Sequence, residues 1–512
     1  MNVRMRHRSR IDIATLSALL VAALPIGCPE PRPVADADGD PGGDADADSD
    51  RDADRDTEDG GDQDRDSFPD VDESPDAPDA DPPPPIHDEA WRLHDEIESI
   101  VYVSWEQDIP ATAFVRYRVG EDPWQETPAQ ERDAGSQEQI VLGIPYESDF
   151  QFRVVATADG VEHLGDFVAG TTGVIPETML APELYLSDET AHDPADRYLF
   201  GSLAAELGRW VPDGGFWSFI VDRRGRLVWA RLTPHLHVTM YVRVSTSGRD
   251  FLVDDNTFWF NFEALESRVH RIKIDGSIVQ TYDTPGLHHP YTELPDGTIV
   301  WGATQPPDGE SIEELAPDGS RRTVWDSREF FDGYELAAEV ERFQSNALFW
   351  DELSNSYFFS SYWNFYLVQI ARENGATLQI FGGHLPSSWR VTPPDAAFYW
   401  QHGVTVTPDR TLLMSMHESD SSFEGVVREY HLDESLKTLQ QVWTWGDGNG
   451  IEPIFAGEAH RLANGDTLIN YGTTPVVREV SPEGLIVWEI RWPEERFIGR
   501  TVFVEDLYAF VP

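Results

Sequence analysis

The sequence is poor in cysteine, in positive charge and in long apolar runs. Cys28 is the only cysteine among 512 residues, so no disulfide can form within the chain. Lys and Arg number 38 against 92 Asp and Glu, which gives a formal net charge of -54 and argues against a nucleic-acid-binding protein. The apolar stretch at residues 11–26 is shorter than the roughly 20 residues of a membrane-spanning helix.

The first 28 residues read as an export signal. Four arginines lie within the first ten residues, an apolar segment follows, and the segment ends at Gly27 and Cys28. This arrangement resembles a bacterial lipoprotein signal and implies that Cys28 carries lipid, in an exported lipoprotein of the cell envelope, at the outer membrane, in the periplasm or at the cell surface. The lipid would then be the only membrane contact. The alternative is a plain secretory signal that contains a chance cysteine.

Residues 29–87 form a strongly acidic segment. Between Asp36 and Asp81 there are 21 acidic residues against 3 arginines, and almost nothing in this stretch can be buried. Such a composition predicts a disordered, extended spacer, which ends at the four prolines 82–85. Calcium binding by the alternating aspartates is the alternative, but their spacing lacks the fixed glycine and the closing glutamate of a 12-residue calcium loop.

Residues 88–176 alternate apolar and polar side chains over short segments. Candidate strands cover residues 99–105, 113–118 and 149–156, and they are separated by turns rich in proline and glycine. This spacing predicts a β-sandwich of about seven strands and resembles a fibronectin type III or immunoglobulin-like module. Trp105, Tyr146, Phe150 and Phe152 are expected to be core residues, and no residue of this region is assigned a chemical role.

Residues 177–512 carry two interleaved series of turns, each followed by an apolar, β-branched segment. Each series recurs at roughly 40 to 60 residues, which is typical of four-stranded propeller blades. The pattern predicts an all-β fold in which a six-bladed β-propeller follows the sandwich. The first series of turns lies at residues 254–256, 295–297, 351–353, 408–410 and 464–466, and the second at 222–225, 275–276, 317–319, 373–375, 433–434 and 482–484.

Several of the 15 histidines lie at fixed distances before the first series of turns. His289 and His402 each precede an aspartate of that series by seven residues, and Gln344 has the same offset in a third blade. His460 is two residues closer to its turn, which keeps it on the same face of a strand. These side chains are expected to converge in a wet central channel. The cluster lacks a carboxylate or thiolate at short spacing, so neither a metal nor a cofactor is expected.

The propeller region resembles the bacterial arylsulfotransferases, which are six-bladed propellers that move a sulfuryl group between phenols without a nucleotide donor. The resemblance covers roughly residues 176–512. It rests on the segments His288–Gly297, Gln344–Asn346 with Ser360–Ser361, Phe381–Gly383 and Gln401–Gly403.

The resemblance implies a role for each matched residue. His402 would be the nucleophile that carries the sulfuryl group, and His289 would contact that group or the phenol oxygen. Substrate binding would involve the remaining residues His288, Gln344, Asn346, Tyr362 and His460. Two positions depart from the family pattern, because Gln344 replaces a histidine and Tyr362 replaces an arginine. A glutamine can still donate a hydrogen bond, whereas a tyrosine cannot replace a fixed cation.

Two functions remain open at this point. The first is an aryl-sulfate sulfotransferase whose partners are a phenolic sulfate and a phenol acceptor, and which acts through a histidine intermediate. The second is an inactive, surface-anchored propeller that binds an aromatic or anionic small molecule. The retained histidines favour the first and Tyr362 favours the second. The sequence does not indicate an oligomeric state.

Overall fold

The computed structural model describes residues 85–206, 215–257, 265–305, 309–332, 344–362, 364–383, 385, 388–455, 457–493 and 496–512. The predicted signal, the lipidation site Cys28 and nearly all of the acidic spacer lie outside these residues. The part of the chain from Asp81 to Pro512 forms one compact unit. No helix in the described ranges has the length and apolar character needed to cross a membrane.

Two sheets occupy the region up to residue 171. One has the order β1-β2-β6, and the other has the order β4-β3-β7-β8, with β5 paired to β3 and β9 paired to β7. Their strands are β1 (Ile86–Leu93), β2 (Val101–Gln107), β3 (Ala111–Val119), β4 (Gln125–Glu126), β5 (Gln130–Arg132), β6 (Gly135–Val141), β7 (Asp149–Ala158), β8 (Val161–Leu164) and β9 (Val168–Thr171).

Alternating burial along β2 and β3 gives these two sheets a common core. Trp105, Phe150 and Phe152 lie inside it, as expected from the sequence. Val141 and Ile144 also belong to this core, whereas Ile140, Leu142 and Tyr146 pack against the rest of the unit. There the Tyr146 amide donates to the Leu227 carbonyl at 2.9 Å. The domain boundary near residue 176 and the kinship to a fibronectin type III module stay predictions.

The remaining strands are short and mostly buried, because β-branched and aromatic residues dominate them. They are β10 (Glu183–Ser187), β11 (Tyr198–Ala204), β12 (Phe216–Asp222), β13 (Leu227–Leu232), β14 (Val242–Val244), β15 (Phe251–Asn256), β16 (Ser267–Ile272), β17 (Ile278–Asp283), β18 (Leu287–Glu293), β19 (Ile299–Gln305), β20 (Gly309–Leu315), β21 (Arg321–Asp326), β22 (Ser345–Asp351), β23 (Ser356–Ser361), β24 (Tyr366–Ala371), β25 (Thr377–Gly382), β26 (Arg390–Thr392), β27 (Tyr399–Val406), β28 (Leu412–Ser419), β29 (Ser422–Asp433), β30 (Thr438–Trp445), β31 (Glu458–Arg461), β32 (Thr467–Asn470), β33 (Val476–Val480), β34 (Ile486–Arg491) and β35 (Ile498–Val504). One α-helix, α1 (Ser327–Asp332), and two 3-10 helices, Pro394–Ala396 and Leu507–Phe510, complete the described elements.

These strands form six sheets within the described residues, each built on four antiparallel strands. Their orders are β13-β12-β11-β35, β14-β15-β16-β17, β18-β19-β20-β21, β22-β23-β24-β25, β26-β30-β29-β28-β27 and β10-β34-β33-β32-β31. The C-terminal strand β35 belongs to the first of these sheets, and the early strand β10 belongs to the last. The first sheet therefore contains the last strand of the chain, and the last sheet contains the first strand of this region.

One edge strand of each sheet meets its counterparts in neighbouring sheets. Contacts join β35 to β14, β18 to β22, β22 to β27 and β27 to β31. These inner strands carry the candidate site residues, because His289 lies on β18, His402 on β27 and His460 on β31. The sheet arrangement thus brings residues far apart in sequence to one place.

Most predicted turns are present, but the one at residues 254–256 is wrong. Asp254 and Asn256 are buried within β15, and the hairpin turn lies at Ser245–Asp250, where Gly248 has a φ of 69°. The Asp254 carboxylate accepts hydrogen bonds from the Tyr241 amide at 2.7 Å and from the Asn256 side chain at 2.8 Å. These bonds give both oxygens of the Asp254 carboxylate a partner inside the sheet, so this residue does not need a solvent-exposed turn.

Candidate functional site

The candidate site lies where three inner strands begin with a local irregularity. The pairing register shifts between Leu287 and Tyr291 in β18, between Ser345 and Leu348 in β22, and between Tyr399 and Gly403 in β27. Such bulges redirect side chains away from regular alternation. His289 and His402 lie within two of these irregular segments, and Gln344 immediately precedes the third. The equal offsets in the sequence therefore correspond to structurally equivalent positions.

His289 is buried and neutral. Its exposed fraction is 8%, and burial lowers its pKa well below the usual value, with further lowering by His288, His402 and Arg500. The neighbouring ring of His288 lies 4.6 Å away, centroid to centroid. His288 itself contacts the Thr304 hydroxyl at 3.1 Å and the Glu310 carboxylate at 3.2 Å. Both ring nitrogens of His288 thus contact protein groups, which fix this ring next to the ring of His289.

His402 is also buried, with an exposed fraction of 5%. Burial lowers its pKa well below the usual value, and His417 and Arg500 add to this effect, whereas a hydrogen bond to the Trp400 carbonyl opposes it. A neutral imidazole that donates one N–H to a carbonyl keeps its other nitrogen as an acceptor or nucleophile. The sequence placed these histidines in a wet channel, which stays a prediction, and the structure gives both His289 and His402 little exposed surface.

A cluster of four half-buried aromatic residues contacts His402 through Tyr362, and we call it the aromatic wall: Tyr362, Phe365, Tyr399 and Trp400. The Tyr362 ring lies 4.7 Å from His402 and 4.9 Å from Trp400, and Phe365 lies 4.8 Å from Trp400. Aromatic rings at these separations attract one another in tilted or edge-on arrangements and could receive another planar ring.

Two members of the aromatic wall have unusual backbone conformations. Phe365 has a φ of 54° and Trp400 a φ of 52°, in the left-handed region that bulky residues rarely adopt. Such conformations cost of order 1–3 kcal/mol each and persist where the surroundings impose them, commonly at functional sites. Here they place two large rings beside a buried histidine.

A buried arginine contacts the backbone of His402. Arg500, on β35, donates to the carbonyl oxygens of His402 and Gly457, to the Asn346 carbonyl at 3.1 Å and to the Tyr241 hydroxyl at 2.8 Å. The guanidinium fork suits this multiple geometry, which a lysine could not reproduce. Arg500 therefore joins four inner regions of the fold and supplies a fixed positive charge next to His402.

Gly403 makes this close approach possible. A Cβ atom at residue 403 would lie 2.7 Å from the Cα of Glu458 and 3.2 Å from Nη1 of Arg500. The first distance is shorter than real Cβ contacts allow, so the strands would have to separate. The glycine that follows His402 is thus required by the packing of β27 against β31.

His460 is connected to His402 through Glu458 and Arg500. Its Nε2 lies 2.7 Å from the Glu458 carboxylate, and Glu458 lies 3.5 Å from Arg500. Burial alone would raise the pKa of Glu458, but His460 and Arg500 outweigh it, and the pKa is lowered. Glu458 therefore stays ionised and partly offsets the charge of Arg500.

The other predicted binding residues lie around the same centre. The Gln344 carbonyl accepts from the Tyr362 amide at 2.9 Å, so the two positions that depart from the family pattern are adjacent. Burial raises the pKa of Tyr362 above its usual value, so its hydroxyl is neutral. Asn346 is 2% exposed, and its carbonyl accepts from Tyr241 and Arg500. The roles of these residues in binding stay predictions.

Sequence reasoning missed Arg500, the aromatic wall beyond Tyr362, and His417. His417 lies on β28, is 2% exposed, and its ring is 6.3 Å from that of His402. Arg500 precedes none of the repeated turns at the histidine offset, and its position depends on the pairing of β35 with β11. In the described part of the chain, no three His, Cys, Asp or Glu side chains cluster closely enough to hold a metal ion.

Comparison with known proteins gives one family match. A model of the arylsulfotransferase (ASST) family matches residues 332–492, which include Gln344, Tyr362, His402 and His460. This match confirms the resemblance found in the sequence. It does not extend to His289 or to Arg500. No curated protein sequence matches the chain significantly.

Several solved structures share features of the fold. A protein of unknown function from Bacteroides caccae is 15% identical, with a TM-score of 0.41, over 61% of this chain and 100% of its own. Virginiamycin B lyase from Staphylococcus aureus is 14% identical, with a TM-score of 0.33, over 60% and 88% of the two chains. The Swd1 β-propeller domain from Myceliophteria thermophila is 11% identical, with a TM-score of 0.35, over 61% and 90%. At these values the likeness concerns the all-β fold alone.

Proposed function

From the match of residues 332–492 to the arylsulfotransferase family model, we propose that the chain transfers a sulfuryl group from an aryl sulfate to a phenol. The observation that carries the proposal is the combination at His402 of a neutral imidazole, the fixed cation Arg500 and the aromatic wall. A nucleophile, a charge for the sulfate and a surface for the aryl ring are the three requirements of this reaction.

The first half-reaction forms a bond between His402 and sulfur. The imidazole nitrogen that does not face the Trp400 carbonyl attacks the sulfur atom, and the aryl oxygen leaves with the electrons of the S–O bond. Because burial keeps the pKa of His402 low, the ring is neutral and nucleophilic throughout the physiological pH range. To His289, whose pKa is lowered in part by His402, we assign contact with the sulfuryl oxygens.

Arg500 supplies a positive charge that Tyr362 cannot provide. The family arginine is replaced by Tyr362, which cannot carry a charge, but the guanidinium of Arg500 lies against the backbone of His402. A preorganised positive charge in a buried site stabilises a developing anion by several kcal/mol without needing to reorganise. We assign this electrostatic role to Arg500, while its hydrogen bonds to carbonyl oxygens fix its position.

The test uses a chromogenic aryl sulfate with a phenol acceptor. We expect the wild-type protein to form the acceptor sulfate, and we expect His402→Asn to lose this activity. His431→Asn is the matched control, because His431 is exposed on β29 in the neighbouring part of the same sheet. Circular dichroism of each variant would check its fold. Full activity in His402→Asn would remove the histidine mechanism.

A binding module is the second candidate, and Tyr362 at the position of the family arginine favours it. In that case the aromatic wall would retain a planar ligand without turnover. Absence of sulfuryl transfer by the wild-type protein, together with saturable quenching of tryptophan fluorescence by an aryl sulfate, would establish this alternative, since Trp400 belongs to the wall.

For the whole chain, we propose a six-bladed propeller preceded by a fibronectin type III-like sandwich and anchored through lipid on Cys28. The six sheets, their contacting inner strands and the shared strands β10 and β35 support the propeller. Mass spectrometry of the mature N-terminus tests the anchor. We expect a lipid-modified Cys28 at the first position, and an unmodified terminus elsewhere would refute export as a lipoprotein.

A further inference from the structure

We propose that His417 is a proton acceptor for the phenol in the second half-reaction, acting through one water held between His417 and His402. This role deepens the proposed transferase function and depends on it. His417 lies within the matched residues 332–492, but none of the segments on which the sequence resemblance rests includes it. The proposal rests on a cavity, on the burial of His417 and on its position relative to His402.

The cavity lies between the fifth and sixth of the six sheets, and His402 and His417 both line it. Its volume is about 20 Å³, and Ser415, Asn470 and Tyr471 add polar groups to its surface. A polar cavity of this size holds one water molecule that can bond to two or more groups. The two imidazole rings are 6.3 Å apart, which is suitable for one bridging water but too far for a direct hydrogen bond.

The His417 ring is a buried polar group whose hydrogen bonds are not satisfied by the fold. Within the described residues neither of its ring nitrogens makes a hydrogen bond of normal geometry, although the Pro453 carbonyl lies close enough to act on its pKa. Leaving such a group without a partner costs free energy, so a water or a substrate atom at this position is expected. The unsatisfied nitrogens therefore indicate a ligand.

The His417 ring has an exposed neighbour as well as His402. Its other side contacts the Phe423 ring at 5.3 Å, edge to face, and Phe423 is 49% exposed. Burial lowers the pKa of His417 to about 4, so the ring is neutral at pH 7 and can take the proton only as the phenol oxygen becomes acidic on forming its bond to sulfur. An acceptor phenol that approaches sulfated His402 from this side would have a base within reach of its hydroxyl group.

In the second half-reaction the sulfuryl group passes from His402 to the phenol. The phenol oxygen forms a bond to sulfur, the bond between sulfur and the His402 nitrogen breaks, and its electron pair returns to the imidazole. The phenol proton passes through the water to His417. Because the protonated ring is a strong acid, it releases the proton to solvent before the next turnover. The products are an aryl sulfate and the resting enzyme.

The experiment separates the two half-reactions. In rapid mixing with 4-nitrophenyl sulfate and no acceptor, the burst of 4-nitrophenol reports sulfation of His402. Transfer to a series of phenols of increasing pKa reports the second step. The variants are His417→Gln, His417→Phe and the exposed control His431→Gln, each checked for folding by thermal unfolding. His417→Phe serves if His417→Gln does not fold.

We expect the burst to change less than about twofold in His417→Gln, while transfer to weakly acidic phenols falls by about 10²- to 10⁴-fold, the usual contribution of a general base. Transfer to phenols already ionised at the assay pH should fall far less. An equal loss for all acceptors and for the burst would show a structural role, and no loss for any acceptor would also overturn the proposal. A wild-type protein without a burst would overturn the transferase function, and the role of His417 with it.

Discussion

Replacement of Arg500 by methionine tests how much the buried contacts of this residue contribute to the stability of the protein. The change Arg500→Met keeps an unbranched side chain of similar reach and removes the charge. It deletes hydrogen bonds to Asn346 at 3.1 Å and to Tyr241 at 2.8 Å, and it leaves the Glu458 carboxylate with His460 and Thr501 as its partners. Arg500 and Glu458 are both buried, so solvent cannot replace these contacts.

The expected cost follows from these contacts. Removing one partner of a buried ion pair costs about 3–5 kcal/mol, because the other charge stays buried without compensation. Hydrogen bonds from a charged donor contribute about 1.5–3 kcal/mol each, but they do not add to this figure independently. We therefore expect Arg500→Met to lose about 4 kcal/mol of unfolding free energy, a large part of the about 5–15 kcal/mol of a typical domain.

The assay is equilibrium unfolding in guanidinium chloride, followed by tryptophan fluorescence. The double variant Arg500→Met with Glu458→Gln removes the uncompensated carboxylate, so we expect it to recover at least about 1 kcal/mol relative to Arg500→Met alone. A cost of less than about 1 kcal/mol, as for an exposed ion pair, would refute the reasoning. Strict additivity of the two substitutions would refute the coupling between Arg500 and Glu458.

Three further predictions follow from the same geometry. Tyr362→Phe should keep the affinity for aryl sulfates and Tyr362→Ala should raise KM by about tenfold, since the ring and not the hydroxyl contributes stacking of about 0.5–1.5 kcal/mol; equal effects in steady-state kinetics would contradict this role. Gly403→Ala should cost about 1–3 kcal/mol in thermal unfolding because its Cβ meets Glu458 at 2.7 Å, and an unchanged Tm would show that the strands can separate. The pKa of His417 is lowered to about 4, so the unfolded chain binds more protons between pH 4 and pH 6.5, and stability is lost as the pH falls through this range. Relative to the wild type, His417→Gln should therefore gain about 3 kcal/mol between pH 7 and pH 4, and a constant difference in unfolding free energy would refute the burial effect.

Local sequence patterns predicted the strands well, because turns and β-branched segments act over a few residues. The segments at residues 227, 299, 412 and 486 all begin strands where the turn series placed them. The error at residues 254–256 has a physical cause. A polar triplet predicts a turn only when its side chains need solvent, and Asp254 and Asn256 find hydrogen-bond partners inside the sheet.

The candidate site was only partly predictable, for a related reason. The register of His289, Gln344 and His402 could be read from the sequence because all three precede the same kind of turn. Arg500 could not be found in this way, since it reaches His402 through strand pairing across the closure of the fold. The burial of His402 likewise depends on residues from separate sheets, so the sequence alone could not predict it.

The most direct test of the central claim is to trap the intermediate. The wild-type protein is mixed with an aryl sulfate in the absence of a phenol, quenched at alkaline pH, digested and examined by mass spectrometry. The account predicts one added SO3 group on the peptide that contains His402, its loss when a phenol is added before quenching, and its absence in His402→Asn. Turnover without this label, or a label on another residue, would contradict the assignment of His402 as the nucleophile.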